Sequence, residues 1–314
     1  MSNSLILHTK EDPMLKKFVK SACLFLLFVS INAFAQAGIV VVQTDFGLRD
    51  GAVSAVKGVM YSVDKSLVIA DLTNDIPAFN IWEAAYRLYQ TANYWPKGTV
   101  FVSVVDPGVG TTRHSVVAEA NNGQYFVTPD NGTLTLIADT IGIKEIRTID
   151  EKKNRLKGSA ESYTFHGRDV YGYTAARLAS GKISFAEVGP ISKDPIVKLP
   201  YEKATIKNNI LRGSIDILDI QYGNVWTNIP NALVKEFGIQ VGDKFKVKIF
   251  ENNSLIYSAI LPFHNTFGEV KKGATMLYLN SLLNLSLGIN QNSFAKVNHV
   301  NAGPGWTIVL EKLK

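Results

Sequence analysis

The sequence predicts an α/β protein with two parts: an N-terminal α/β domain with a central, mostly parallel sheet, and a smaller C-terminal all-β, barrel-like domain. Short β-branched runs, such as GIVVVQ (38–43) and TVFVSVVD (99–106), predict strands. Between them, segments such as NIWEAAYRLYQTANYW (80–95) have apolar residues at three- and four-residue spacing, which predicts helices. After residues 195–200 this alternation gives way to short alternating strands separated by turns rich in Gly, Asn and Lys.

The elements follow in order along the chain. The first part has strand-like runs at SLVIADLT (66–73) and VVAEA (116–120) besides the two above, and helix-like segments at GAVSAVKGVMYSV (51–63), GTLTLIADTIG (132–142) and VYGYTAARLAS (170–180). The second part has strand-like runs at DILDI (216–220), KFKVKIF (244–250), SLIYSAIL (254–261), TMLYL (275–279) and WTIVL (306–310). We therefore expect an α/β domain over residues 36–200 and a β-domain over residues 201–314.

Composition indicates a folded protein with no affinity for nucleic acid. The chain has 314 residues, of which 46% are hydrophobic and 19% are charged, values that suit a well-filled core and argue against disorder. Its formal net charge is +6, yet the Lys and Arg residues form only short pairs and do not alternate with aromatic residues. The positive charge therefore indicates a solvated surface.

The N-terminus has the pattern of a secretory signal. The basic segment LKKFVK (15–20) precedes the apolar run ACLFLLFV (22–29), and small residues end at Ala35, so we expect residues 1–35 to be a signal peptide, with translation starting at Met1 or Met14. The apolar run is shorter than the ~20 residues of a membrane span, which favours a cleaved signal over a retained anchor. We expect an exported protein, periplasmic or secreted, that has no membrane contact after cleavage.

The cysteine count restricts the chemistry of the exported form. Cys23 is the only cysteine, and it lies inside the predicted signal. The chain from Gln36 onward then has no thiol, which excludes disulfides, thiol nucleophiles and zinc sites built on cysteine.

The segment VVDPGVGTTR (104–113) is the strongest candidate for a catalytic site. It places Asp106 and Arg113 on either side of a Pro-Gly-x-Gly turn that follows an apolar strand, the position where α/β proteins build ligand sites. Further along, TFHGRD (164–169) places His166 in a polar turn before an apparent helix start. These three residues form a candidate catalytic trio.

Other polar residues allow more than one interpretation. Asp45, Asp71 and Asp106 each follow an apolar run, so three carboxylates are expected at one crevice, although each can instead be an N-cap or Asx-turn residue. They come without a His pair at ligand spacing or an Asp-rich loop, so we expect no metal. PDNG (129–132) is interpreted as a structural turn. GNVWTN (223–228) has two interpretations. Its Asn side-chain amide binds a ligand where two domains meet, or its Trp is buried and the Asn forms hydrogen bonds within the protein.

Taken together, these motifs resemble the S-adenosylmethionine hydrolase family, also called hydroxide adenosyltransferases. The motifs that carry the resemblance occur in family order and are TDFGLRDGAVSAVKGVM (44–60), DLTNDIP (71–77), VVDPGVGTTR (104–113), PDNGTL (129–134), TFHGRDVY (164–171), GNVWTNI (223–229) and YLNS (278–281). The resemblance implies hydrolysis of S-adenosylmethionine to adenosine and methionine by attack of water or hydroxide on the ribose 5′ carbon, without a cofactor. It also implies a homotrimer in which the C-terminal domain of one subunit closes a site on its neighbour.

The resemblance assigns roles to residues of this chain. Asp106, Arg113 and His166 match the family's catalytic set. The substrate-binding positions that it implies are Asp45 for the ribose hydroxyls, Asn224 for adenine, Asp219 and Ser281 for the methionine end, and Phe79, Phe165 and Phe267 for the aromatic walls. The chain departs from the family at Asn74, where His is usual, and in the Leu-Leu pair after Ser281, so we expect a differently shaped methionine end.

Two alternatives remain open from the sequence. One is an exported protein that binds S-adenosylmethionine or a nucleoside without turnover. The other is a halide adenosyltransferase related to fluorinases and chlorinases; against it stand the carboxylate at position 106, which repels a halide, and Gly167, where fluorinases have a serine.

Overall fold

The computed structural model describes residues 38–313, which belong to one compact unit. The N-terminal part has six strands: β1 (Ile39–Thr44), β2 (Val68–Thr73), β3 (Val100–Val104), β4 (Ser115–Ala120), β5 (Tyr125–Pro129) and β6 (Ile143–Thr148). Its helices are α1 (Ala52–Val63), α2 (Ile81–Ala92), α3 (Thr135–Thr140), α4 (Glu151–Asn154) and α5 (Tyr173–Ala179), with a π-helical turn at Gly167–Gly172 and a 3₁₀ turn at Phe185–Val188. The predicted signal peptide lies outside the described residues.

The first six strands form one mixed sheet in the order β2-β1-β3-β5-β4-β6. The pairs β1/β2, β1/β3 and β3/β5 are parallel, whereas β4 runs antiparallel to both of its neighbours. The apolar runs of β1 and β3 are buried because helices cover both faces of the sheet, as in other parallel sheets. The predicted α/β part with a mostly parallel sheet is confirmed.

The C-terminal part is an antiparallel sheet that nearly closes on itself. Its strands are β7 (Thr205–Lys207), β8 (Ile210–Asp219), β9 (Asn224–Pro230), β10 (Lys244–Glu251), β11 (Ser254–Pro262), β12 (Thr275–Leu279), β13 (Asn284–Ile289) and β14 (Trp306–Lys312). The order is β11-β10-β14-β8-β9-β13-β12, with β7 beside β8, and a bridge between Phe263 and Leu277 brings the two ends of the sheet together. The predicted barrel-like β-domain is confirmed.

The sequence pattern predicts the strands of this barrel but not the short helical segments between them. Strand β10 alternates exposed Lys with buried Phe245, Val247 and Ile249, the period expected of a half-buried strand. Two short helices, α6 (Asn231–Glu236) and α7 (Phe294–Asn298), and a 3₁₀ turn at Phe267–Glu269 were not predicted. They are too short to show a helical repeat in the sequence. Within residues 38–313 no helix is long and apolar enough to cross a membrane.

Candidate active site

The carboxyl ends of β1 and β3 border a cavity of about 290 Å³, here called the N-terminal cavity. Its lining includes five of the residues that the sequence singled out: Asp45, Phe79, Asp106, Phe165 and His166. The strand ends position the two aspartates, because Asp45 comes directly after β1 and Asp106 follows β3 by two residues. The cavity therefore lies where open α/β sheets bind ligands, beyond the carboxyl ends of parallel strands.

Asp106 and Arg113 form a bidentate ion pair at this cavity. Arg113 Nε donates to Asp106 Oδ1 at 2.7 Å, and Arg113 Nη2 donates to Asp106 Oδ2. The side chain of Asp106 is only 5% exposed, so the guanidinium supplies the charge compensation that a buried carboxylate needs. The turn after β3 is held from the other side by Asn131, whose Nδ2 donates to the Val105 carbonyl at 2.9 Å, in agreement with the structural role predicted for PDNG.

A ring of hydrogen bonds continues from this ion pair. Arg113 Nη1 donates to Ser115 Oγ at 3.1 Å, and Ser115 Oγ lies 3.2 Å from the hydroxyl of Tyr171. The Tyr171 hydroxyl donates to Asp106 Oδ2 at 3.3 Å. Burial raises the pKa of Tyr171 well above its usual range, so this hydroxyl keeps its proton and remains a donor. Asp106 is therefore fixed by three donor groups.

His166 lies between two guanidinium groups. Its Nδ1 is 3.4 Å from Arg113 Nη2, and its Nε2 is 3.4 Å from Arg155 Nη2. Burial lowers the pKa of His166 below its usual value, and the positive charges of Arg113 and Arg155 act in the same direction, whereas Glu151 and Asp106 oppose it. These effects favour the neutral imidazole, in which one ring nitrogen carries the proton and the other is an acceptor.

Asp45 and two phenylalanines form the mouth of the N-terminal cavity. The backbone N–H of Phe79 donates to Asp45 Oδ2 at 3.0 Å, and Phe79 has a positive φ of 68° with its side chain 71% exposed. An exposed aromatic residue in a left-handed conformation is held against its own preference, which is common at functional sites. Phe165 contacts Phe46 edge to face, with the ring centroids 5.8 Å apart.

The predicted convergence of three carboxylates is wrong for Asp71. This residue lies inside β2, because the strand continues through a register irregularity to Thr73, and its carboxylate accepts from Lys57 Nζ at 2.6 Å. The residue that follows the strand is Asn74, whose Oδ1 accepts from Thr44 Oγ1 at 2.9 Å. Within residues 38–313 no three His, Cys, Asp or Glu side chains are grouped so as to hold a metal ion.

The remaining predicted residues belong to the C-terminal barrel. Asn224 and Phe267 line a second cavity of about 550 Å³, here called the C-terminal cavity, and Asp219 Oδ2 accepts from Asn224 Nδ2 at 3.2 Å. Gly288 permits this arrangement, since a Cβ there would lie 2.4 Å from Asn224 Oδ1 and 2.7 Å from the Phe267 ring. Ser281 is exposed in the turn between β12 and β13 and lines neither cavity. The two cavities share no lining residue.

Comparison with known proteins identifies the family. Residues 40–189 match the SAM hydroxide adenosyltransferase N-terminal domain, and residues 213–307 match the SAM hydroxide adenosyltransferase C-terminal domain. The chain belongs to the SAM hydroxide adenosyltransferase family.

Named relatives of the chain fall into two groups. The chain is 34% identical to an (R)-S-adenosyl-L-methionine hydrolase of Methanocaldococcus jannaschii, and the match covers 69% of this chain and 75% of the relative. It is 32% identical to an (R)-S-adenosyl-L-methionine hydrolase of Thermus thermophilus, and that match covers 80% of this chain and 91% of the relative. It is 27% identical to a fluorinase of an Actinoplanes species over 84% and 95%. A crystal structure of an uncharacterized conserved protein from Thermotoga maritima matches with a TM-score of 0.81 and 32% identity, covering 87% of this chain and all of that one.

Three residues of the candidate site were not predicted from the sequence. Ser115 and Arg155 give no motif signal, whereas Tyr171 lies in a predicted helix and ends the motif TFHGRDVY, where no role was assigned to it. The π-helical turn at Gly167–Gly172, in which hydrogen bonds join residues five apart, brings Tyr171 to the side of the helix that holds His166, with ring centroids 6.5 Å apart. A tyrosine five residues after the histidine is the one signal that was available.

Proposed function

We propose that this protein hydrolyses S-adenosylmethionine to adenosine and methionine, with water as the nucleophile. The observation that carries the proposal is that Asp106 and His166 both line the N-terminal cavity and that Arg113 forms an ion pair with Asp106. The names of the hydrolase relatives support the same reaction. The aromatic and polar lining of the cavity suits a nucleoside sulfonium, because aromatic faces attract a cation and a carboxylate pairs with hydroxyl groups.

We propose a separate task for each of the three catalytic residues. Asp106 accepts a hydrogen bond from the water and orients an oxygen lone pair toward the 5′ carbon, in line with the C–S bond. His166 accepts the proton that the water loses as the new C–O bond forms. The electron pair of the breaking C–S bond goes to sulfur, so the sulfonium leaves as the neutral thioether of methionine. Arg113 holds the Asp106 carboxylate through two hydrogen bonds and stabilises the hydroxide character of the attacking oxygen.

Substrate binding is assigned to both cavities. Asp45 is proposed to accept from the two ribose hydroxyls, between the rings of Phe79 and Phe165. Asn224 is proposed to bind adenine through its side-chain amide, beside Phe267, and Asp219 is proposed to bind the methionine ammonium. Ser281 is proposed for the methionine carboxylate, a role that requires the turn between β12 and β13 to face the bound substrate.

Water is favoured over halide by the charge and the shape of this cavity. Asp106 places a negative charge where a halide would have to bind, and a carboxylate repels an anion more strongly as the site becomes drier. A Cβ on Gly167 would lie 3.0 Å from the Phe46 ring and 3.3 Å from a methyl group of Val104, so a serine fits there only if these side chains move. The fluorinase relatives make the halide reaction a specific alternative, which the experiment below addresses.

We also propose that the active form is a homotrimer with sites between subunits. The support is that the proposed substrate residues divide between two cavities with no common lining residue. Mixing inactive Asp106→Asn protein with inactive Asn224→Ala protein should then restore adenosine formation, because some of the mixed sites combine two intact halves. No restoration after confirmed subunit exchange would rule out shared sites.

Export is proposed from the pattern of residues 1–35. In cell fractions of the source organism, N-terminal sequencing of the protein should start at Gln36, with the protein outside the cytoplasm. An intact Met1 or Met14 terminus in the cytoplasmic fraction would overturn this proposal.

Product analysis tests the central proposal. The protein without residues 1–35 is incubated with S-adenosylmethionine in halide-free buffer, and adenosine and methionine are measured by chromatography alongside the Asp106→Asn variant. Equal amounts of both products from the wild type, with a loss of about 10²-fold or more in the variant, would support hydrolysis at this site.

The other outcomes identify the alternatives. Binding of S-adenosylmethionine with no products would replace the hydrolase by a binding protein without turnover. Products that form only with added chloride or fluoride, as a 5′-halogenated adenosine, would replace it by a halide adenosyltransferase. In either case the hydrolase proposal fails.

A further inference from the structure

A third cavity of about 430 Å³ lies between α2, the segment 200–202 and the C-terminal sheet. It shares no lining residue with the N-terminal or the C-terminal cavity, and the proposed hydrolysis uses none of its residues. We call it the Asp216 cavity after the carboxylate on β8 that lines it. Its volume is within the range of small-molecule sites in proteins.

Asp216 is a buried carboxylate that has no cationic partner in the described part of the chain. The residue is 5% exposed, and within residues 38–313 one hydrogen bond reaches its side chain, from Ser214 Oγ, which donates to Oδ1 at 2.6 Å. Among residues 38–313 no Lys, Arg or His pairs with Asp216, and Oδ2 accepts no hydrogen bond. A buried carboxylate needs a counter-charge or a proton, so a cation that entered the cavity would find an uncompensated partner.

Aromatic side chains held in fixed positions form the walls around this carboxylate. Trp82 Nε1 donates to the backbone carbonyl of Asp216 at 2.7 Å, and the Tyr201 hydroxyl donates to Asp139 Oδ2 at 2.6 Å. The rings of Trp82 and Tyr201 are 5.5 Å apart between centroids, and Trp306 lines the cavity from the next strand of the sheet. Electron-rich ring faces that are already in position favour a cation over a neutral molecule.

Charges at the rim of the cavity do not oppose a cation. Arg212 Nε lies 3.4 Å from Glu202 Oε2, and both side chains are largely exposed. This surface pair is close to neutral as a unit and is screened by solvent. Asp216 therefore determines the sign of the charge inside the cavity.

We propose that the Asp216 cavity binds a small organic ammonium ion. Its N–H groups donate to Asp216 Oδ2, and its apolar or aromatic body packs among Trp82, Tyr201 and Trp306. The ligand is a free small molecule, bound independently of S-adenosylmethionine. Burial raises the pKa of Asp216 to about 7, so at pH 8 the carboxylate is largely ionised and binding is expected to be strongest.

Calorimetric titration with two probes that differ in charge tests the proposal. The purified protein is titrated at pH 8 with 2-phenylethylammonium and with its neutral analogue 2-phenylethanol. We expect saturable binding of the ammonium and at least tenfold weaker binding of the alcohol. Asp216→Asn, which keeps the shape and the acceptor for Ser214, should weaken ammonium binding at least tenfold, whereas the rim control Glu202→Gln should change it less than threefold.

Further variants and readouts separate this site from the proposed active site and from a contact between subunits. Tyr201→Leu removes one aromatic wall and should weaken ammonium binding at least threefold, while Asp216→Asn leaves S-adenosylmethionine turnover unchanged. Equal binding of both probes, or equal ammonium binding by wild type and Asp216→Asn, overturns the proposal. No ammonium binding, together with altered sedimentation of Asp216→Asn, also overturns it and assigns the carboxylate to an interface between copies.

Discussion

Asp106 and Asp216 are both aspartates with little solvent exposure, yet the protein treats them in opposite ways. Asp106 receives two donors from Arg113 and one from Tyr171, and it borders the N-terminal cavity. Among residues 38–313, Asp216 receives a single side-chain donor, from Ser214, and no guanidinium pairs with it; aromatic rings line its cavity.

The difference shows what a protein gains from pairing a buried carboxylate. A paired carboxylate keeps a fixed charge and a fixed direction, which is what orienting a reacting water requires. An unpaired one keeps its proton to higher pH, because burial disfavours the charged form. Its charge is then available to a ligand that supplies the missing cation. The following substitutions break or sharpen this comparison.

Removing Arg113 should make Asp106 resemble Asp216. In Arg113→Met the carboxylate stays buried but loses its cation, so we expect kcat/KM for S-adenosylmethionine to fall by about 10²–10³-fold. Steady-state adenosine formation measures this loss. Arg113→Lys keeps the positive charge but loses the bidentate hydrogen bonds, so its activity should be intermediate. An Arg113→Met variant with more than one-tenth of wild-type activity would contradict the catalytic role of Arg113.

Neutralising Asp216 should stabilise the protein. Because its pKa is about 7 in the folded state and 3.8 without burial, ionisation lowers the free energy of unfolding as pH rises between these values. In urea denaturation, Asp216→Asn should raise the free energy of unfolding by about 2–4 kcal/mol at pH 8. The gain should be smaller at pH 5 and disappear only below pH 3.8, where the unfolded chain also holds the proton. An equal gain at pH 8 and pH 5 would exclude charge burial as its cause.

Breaking the hydrogen-bond ring at Tyr171 should have a smaller effect on catalysis. Tyr171→Phe removes one neutral donor from Asp106 and leaves the ring packing intact, so we expect kcat to fall about tenfold. KM should stay within about twofold, because Tyr171 orients Asp106 and does not line the N-terminal cavity. Tyr173→Phe, a change of the same type on α5, is the control; equal losses in both variants would indicate a general effect on this helix.

Two charges around His166 should move the pH profile in opposite directions. Activity is expected to rise with pH through an acidic limb below 6.5, because burial lowers the pKa of His166 from that value. Arg155→Met removes a nearby positive charge and should shift the limb to higher pH, whereas Glu151→Gln removes a negative charge and should shift it to lower pH. Profiles of kcat/KM for the three proteins check this, and shifts of the same sign would show that His166 is not the titrating group.

Much of the fold and part of the candidate site could be predicted from the sequence because they depend on local patterns. Apolar runs followed by Asp45 and Asp106 correctly predicted polar residues at the ends of β1 and β3. Asp71 had the same local pattern but lies inside β2, since the length of that strand is set by its pairing with β1. Tyr171 lies within a predicted helix and the motif TFHGRDVY, but the sequence assigned it no role, because an α-helical repeat does not reveal a π-helical turn.

The sequence by itself determined the order of strands and helices, the change from an α/β to an all-β part, and the family motifs that contain Asp106, Arg113 and His166. These features depend on side-chain periodicity and on residues close together in the chain. The tertiary structure alone decided that Asp216 is buried with no cationic partner among residues 38–313, that Arg155 reaches His166, and that the predicted substrate residues fall into two cavities. The Asp106–Arg113 pair forms within one turn, whereas cavity walls come from residues that are distant in sequence, so only packing brings those together or leaves a carboxylate without a partner.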